Sequence, residues 1–177
     1  SKDSNRKLFS QSTTSKRPTY KASAIGGKPG ITFDGSDDII EQFNEHYLTS
    51  TQGVIFTVVQ CTDVTNNYMT IFGQSDHDIS AGSRTRSQMR HHVTAANPDT
   101  SFLTQINGSS TNEAKGDDDT RNTNAKIIMW ASDGSNYECR IDGADQTISQ
   151  VQGSDTGDWY GDLGSGADTM HIGAGHY

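Results

Sequence analysis

The stretch AIGGKPGITFDGSDDII, from Ala24 to Ile40, constrains this chain more than any other, because it packs a reversal, a strand and a second reversal into a span with no room for a helix. Gly26 and Gly27 accept positive φ and turn the chain, Pro29 bars helix, and Ile31 and Phe33 alternate with Thr32 and Asp34 as on a half-buried strand. Gly35 then ends it. Short apolar runs of the same kind, ITF, VIFTVV, MTIF and IIMW, recur along the chain, and no segment sustains a helical period. Strands are expected near 19–24, 30–34, 38–43, 53–62, 67–74, 84–94, 101–107, 125–132, 135–142, 146–151 and 168–173.

The 177 residues suffice for one domain with a real core. Only 31% are hydrophobic, with 18 glycines against 3 prolines, which suits many short strands that each show one face to water. The apolar runs argue against a disordered chain. A net charge of -8 argues against a general nucleic-acid binder, whose phosphate contacts need a basic surface. No apolar run approaches the ~20 residues of a membrane span, so membrane insertion is not expected. Residues 1–16 form a polar extended lead in which Leu8 and Phe9 are the candidate anchors, and residues 17–177 are expected to be one all-β domain. With no initiating Met and no signal peptide, the sequence is expected to begin as a fragment, a processed product or a deliberately cut piece.

Several segments carry candidate chemistry. In RTRSQMRHH, Arg84, Arg86, Gln88, Arg90 and His92 share one strand parity, a basic stripe that would either grip an acidic sugar or pair with the domain's own carboxylates. Residues 107–124 lack any large apolar side chain and read as a solvated connection or a mobile loop, whose Asp117, Asp118 and Asp119 are a solvated charge run in preference to a cation site. Residues 152–167 set Trp159, Tyr160 and Leu163 among glycines, as a plug for one end of the domain or a recognition platform. Asp34, Asp37 and Asp38 are candidate calcium ligands, with Asp76 and Asp78 as a lesser pair; the alternative is carboxylates bonded to their own turns. Cys61 and Cys139 both have inward parity, as a disulfide if their strands are neighbours or as two buried thiols if not. No Ser/His/Asp spacing, phosphate-binding glycine loop or Cys-x-x-Cys pair occurs, so no enzyme is expected.

Arg17-Pro18-Thr19-Tyr20, then Gly27-Lys28-Pro29 and Phe33-Asp34-Gly35, resemble the opening of concanavalin A-like sandwiches of the laminin G-like type. IIMWASDGSNYECRIDGADQ and GDWYGDLGSGADTMHIGAG extend the resemblance through the C-terminal half. It implies an antiparallel β-sandwich of jelly-roll topology. Family members usually add an apolar strand before the polar lead and another after the Ile-Gly turn, and neither is present here. The sandwich is therefore expected to lack its first and last strands, completed by a longer protein or by a neighbouring chain. The glucanases of this architecture carry E-x-D-x-E on one strand, and this chain does not. The resemblance thus implies a non-catalytic carbohydrate-binding or adhesion module of a surface or virion protein. Its sugar would stack on Trp159 or Tyr160 and bond to Asp158, Arg84, Arg86 and Arg90. The alternative is a structural subunit of a virion or extracellular fibre, of decoration or tail-fibre type, built by strand exchange between copies. Either role places the chain outside the cell, at a cell surface or on a virion.

Overall fold

The computed structural model describes residues 9–43, 48–61, 69–76, 84–92, 100–108, 110–117, 124–154, 157–163 and 167–173. The opening segment folds as a separate hairpin of β1 (Thr19–Ile25) and β2 (Lys28–Thr32), with Ile25 paired to Lys28. Gly26 and Gly27 between them sit at φ 55° and 78°. Two consecutive positive φ values make the tight turn that matches strand twist, which a side chain at either position would oppose.

The remaining strands form two sheets. The smaller has the order β11 (Ala144–Asp145), β10 (Tyr137–Ile141), β9 (Lys126–Ser132), β4 (Gly53–Val59). The larger runs β12 (Ile148–Gln152), β8 (Ser110–Asp117), β7 (Thr100–Gly108), β6 (Arg84–His92), β5 (Met69–Ser75), β13 (Thr169–Gly173), β3 (Ile39–Gln42). Neighbouring strands are antiparallel throughout. The core between the sheets joins Met89, Leu103 and Ala114 of the large sheet to Ile128, Trp130, Cys139 and Ile141 of the small one. Burial of Met89 or Ile128, both 0% exposed, contributes about 1.5–3 kcal/mol each. The chain is an all-β antiparallel sandwich, as its strand periods predict.

Strand β8 overturns the expectation of a solvated connection over 107–124. It lies between β7 and β12, and its inner face is made of small residues, Ala114 and Gly116, both buried. A Cβ on Gly116 would stand 2.6 Å from the Cys139 sulfur, so the close approach of the sheets here requires glycine. Asp118 and Asp119 lie outside the described residues. The polar lead meets the outer edge of β3, where Ser10 bridges Glu41 and the Gln11 side chain donates to the Ile39 carbonyl at 3.3 Å. Phe9 is exposed and Leu8 lies outside the described residues.

Of the two readings of the cysteines the structure follows the unbridged one: Cys61 and Cys139 form no disulfide with each other. Cys139 pairs with Trp130 on β9, which pairs in turn with Ile55 on β4. Cys61 thus lies roughly 10 Å across the sheet from Cys139 and about 20 Å along it, far beyond the ~7 Å Cα limit of a bridge.

Candidate functional site

One end of the sandwich is closed by the loop from Gly157 to Leu163, which ends in a 3-10 turn. Its backbone is tied down by side chains of the sheets. Ser132 Oγ donates to the Gly157 carbonyl at 2.6 Å, the Tyr137 hydroxyl to the Asp158 carbonyl at 2.8 Å, and Gln105 Nε2 to the Trp159 carbonyl at 2.8 Å. Trp159 N–H donates to the Asp162 carboxylate at 2.7 Å, within the loop itself. This anchoring drives both rings inward. Trp159 is 3% exposed and Tyr160 0%, their rings edge-to-face at 5.2 Å, with Phe72 5.5 Å from Tyr160. The loop is a plug, and the expectation that either ring stacks on a sugar is corrected, since neither ring face reaches solvent. Burial pushes the Tyr160 phenol far above its usual range; its hydroxyl is drawn toward Ser87 and the Met89 backbone without reaching ordinary hydrogen-bond geometry.

Beside the plug the loop and the large sheet leave a recess of about 190 Å³, lined by Gln105, Ser110, Asn112, Asp158 and Asp162. Among the described residues its lining is hydroxyl, amide and carboxylate, with no cationic side chain. Asn112 Nδ2 donates to Asp158 Oδ2 at 2.6 Å, which fixes that carboxylate at the rim. Asp158 is therefore the expected sugar-contacting residue that the fold does bring to an open cavity. Gln105, Ser110 and Asn112 escaped the sequence reading, the last two because β8 had no apolar signal.

The basic stripe on β6 lies on the other face of the large sheet. Arg86 and Arg90 are each 8% exposed, and the Arg84 side chain lies outside the described residues. Arg90 is paired with Glu113 of β8 and bonded to Thr104 of β7, and Thr104 Oγ1 donates to Glu113 at 2.8 Å. Of the two readings of the stripe, Arg90 follows the internal one. The polar row continues through Gln88, 3.4 Å from His171 Nε2, and the His171 ring lies over the bare backbone of Gly73, where a Cβ would meet it at 2.3 Å. His171 pairs across to Glu41 of β3.

Asp34, Asp37 and Asp38 come together, with one carboxylate oxygen of each within 4.8 Å of the others. Asp34 Oδ1 accepts N–H bonds from Ser36 at 2.8 Å, Asp37 at 3.2 Å and Asp38 at 3.3 Å, and Asp34 N–H donates to Asp38 Oδ2 at 2.8 Å. The Ser36 N–H above all, then those of Asp38 and Asp37, hold the Asp34 carboxyl below its usual range against the opposing effect of desolvation. The turn thus organises itself, and the oxygens left over are of the hard type that calcium takes. Asp76 donates its N–H to the Thr85 carbonyl, while Asp78 lies outside the described residues.

No protein-family model matches the sequence, and no curated protein matches it. Among solved structures the chain is similar to the CBM40 carbohydrate-binding module of Ruminococcus gnavus IT-sialidase, determined with bound alpha2,3 sialyllactose, at a TM-score of 0.52 and 14% identity. The match covers 68% of this chain and 62% of that one. The likeness shows the fold: a lectin-like β-sandwich of the jelly-roll kind. Among the described residues no helix is long and apolar enough to cross a membrane.

Proposed function

We propose that this chain is a non-catalytic carbohydrate-binding module of a larger surface or virion protein, and that it takes sugar hydroxyls in the recess of Gln105, Ser110, Asn112, Asp158 and Asp162. The observation that carries this reading is the lining itself, five polar side chains set at the end of a sandwich similar to that of a carbohydrate-binding module. Carboxylates accept paired hydroxyl hydrogen bonds, and such charge-assisted bonds are the strong ones. With two carboxylates and no cation among the described lining residues, the recess favours neutral sugars and repels acidic ones. Its volume of about 190 Å³ is small beside the ~300–1,000 Å³ of drug-sized ligand pockets. It suits one sugar ring, and without aromatic stacking the affinity lies near ~1 mM. The wider resemblance to laminin G-like domains, the placement in a longer chain and the extracellular or virion setting belong to the same proposal. So does a calcium ion at Asp34, Asp37 and Asp38, as a brace for the loop that leads into β3.

The test is a titration of the labelled chain with neutral monosaccharides and with sialyllactose, followed by amide shifts. Neutral sugar should move Gln105, Ser110, Asn112 and Asp158, and Asp158→Ala should abolish the response while circular dichroism stays unchanged. Silence toward every neutral sugar at tens of millimolar, or shifts centred on Arg86 and Arg90 with sialyllactose alone, would sink it. The virion or fibre subunit keeps a place as second reading because of one specific observation, the open and apolar edge of β4.

A further inference from the structure

The outer face of the small sheet carries its polar groups on β10 and its apolar ones on β4. Val54, Phe56 and Val58 stand 52%, 66% and 59% exposed, and Ile127, at 51%, lies opposite Val58. Together they present on the order of 400 Å² of apolar surface, the size at which an exposed patch marks an interaction site. β4 is also the end of its sheet, and among the described residues no strand pairs with its second side. Proteins usually guard such an edge with lysine, proline or a bulge. β4 reads GVIFTVV and keeps an unbroken register with β9, so it has none of these.

We infer that β4 is a self-pairing edge, at which two copies of this chain join antiparallel about a two-fold axis at Phe56. The strand is self-complementary under that operation. Val54 falls opposite Val58 of the partner subunit, Phe56 opposite Phe56 of the partner subunit, and every outward residue stays on one face, because the pairing preserves parity. The two small sheets then become one sheet of eight strands. Charge favours this meeting point over others: copies of net charge -8 repel generally, yet β4 and its neighbours Thr51, Gln52 and Gln60 are uncharged. Edge pairing sets the two outward patches side by side and covers little more than the facing flanks of Val54, Phe56 and Val58 besides the strand backbones, well below the ~1,200–2,000 Å² of a standard interface. The dimer is therefore weak and concentration-dependent. It involves the outward face and the β4 edge of the small sheet, whereas the recess lies between the loop and the large sheet, so it stands or falls apart from the carbohydrate reading.

Sedimentation velocity over a wide concentration range should show the 19.2 kDa mass double. Phe56→Lys, at an exposed position, should remain monomeric throughout with an unchanged circular dichroism spectrum. In a Cys61→Ser background, Phe56→Cys should crosslink under mild oxidation, since facing Cβ atoms in an antiparallel pair stand about 4.5–5.5 Å apart, close to disulfide range. Val54→Cys should not, because its two copies would lie about 13 Å apart along the strands. A wild-type monomer at every concentration, a dimer that survives Phe56→Lys, or crosslinking at position 54 in preference to 56 would overturn the inference.

Discussion

Replacing Gly116 with alanine probes the contact that holds β8 against the small sheet. The new methyl would stand 2.6 Å from Cys139 Sγ, 3.1 Å from Cys139 Cβ and 3.3 Å from Gln146 Cβ. Cys139 is 1% exposed and held by its pairing with Trp130, so it has nowhere to retreat, and relief requires the sheets to part. Overpacking of this kind costs about 1–3 kcal/mol. Alanine also restricts the unfolded chain, which returns up to ~1 kcal/mol. The net expectation is a loss of about 1–2 kcal/mol, read as a lower urea midpoint at unchanged slope. Cys139→Ala alone should cost about 1 kcal/mol through the lost sulfur and the void it leaves. In the double variant the alanine methyl takes the room of the sulfur. Its stability should therefore match or exceed that of Cys139→Ala, a coupling of about 1–2 kcal/mol across contacting residues. A neutral Gly116→Ala, or strict additivity in the double variant, would show that β8 does not lie against β10 and would refute the placement of the strand.

Cys139 and Cys61 should differ sharply toward a thiol reagent at pH 8: burial raises the Cys139 thiol to about 12, so it stays protonated and protected, whereas half-buried Cys61 reacts. Two fast thiols in the folded protein would contradict this. Because the folded value lies above the ordinary one, the neutral thiol's contribution is full below about pH 9 and is lost as pH rises toward 12, so Cys139→Ala should flatten the alkaline arm of a stability profile. The Asp34 carboxyl is shifted the other way, so its contribution is present above the ordinary carboxylate range and lost as pH falls through its depressed value; Asp34→Asn should lessen the acid sensitivity. Millimolar calcium should raise the melting temperature of the wild type and leave Asp37→Asn unmoved, and a wild type indifferent to calcium would exclude an ion at this turn.

Where burial was written in large apolar residues, the sequence was legible. β4, β9 and β13 start within a residue or so of their expected places, because VIFTVV, IIMW and MHI alternate or run apolar between glycines and polar turns. β8 was illegible for a physical reason: a strand that faces a bulky partner is selected for what it lacks, and Ala114 and Gly116 give no hydrophobic signal. The same blindness hid the recess, two of whose walls, Ser110 and Asn112, stand on β8. Trp159 and Tyr160 were correctly singled out within their loop, but ring size alone does not say whether a loop folds over the core or away from it. The anchors that decide, Ser132, Tyr137 and Gln105, come from three other strands.

The arginine stripe bears on the proposed preference for neutral over acidic sugars. Arg90 is buried and already shares Glu113 and Thr104, so its charge is answered inside the fold. An acidic sugar that sought Arg90 would have to displace Glu113, trading one carboxylate for another and leaving the displaced one partly buried beside Thr104. Coulomb attraction gains little from that exchange, while the desolvation of a second anion adds a cost of several kcal/mol. Truncating Glu113 does not open the site either, since an uncompensated Arg90 at 8% exposure destabilises the sheet before it recruits a ligand. Among the described residues the recess lining holds no cation, and its Asp158 and Asp162 carboxylates are oriented by the Asn112 side chain and the Trp159 N–H. On the proposed reading a neutral hydroxylated ring would add its hydroxyls to carboxylates already oriented by Asn112 and by the Trp159 N–H, whereas an acidic ring would meet like charge.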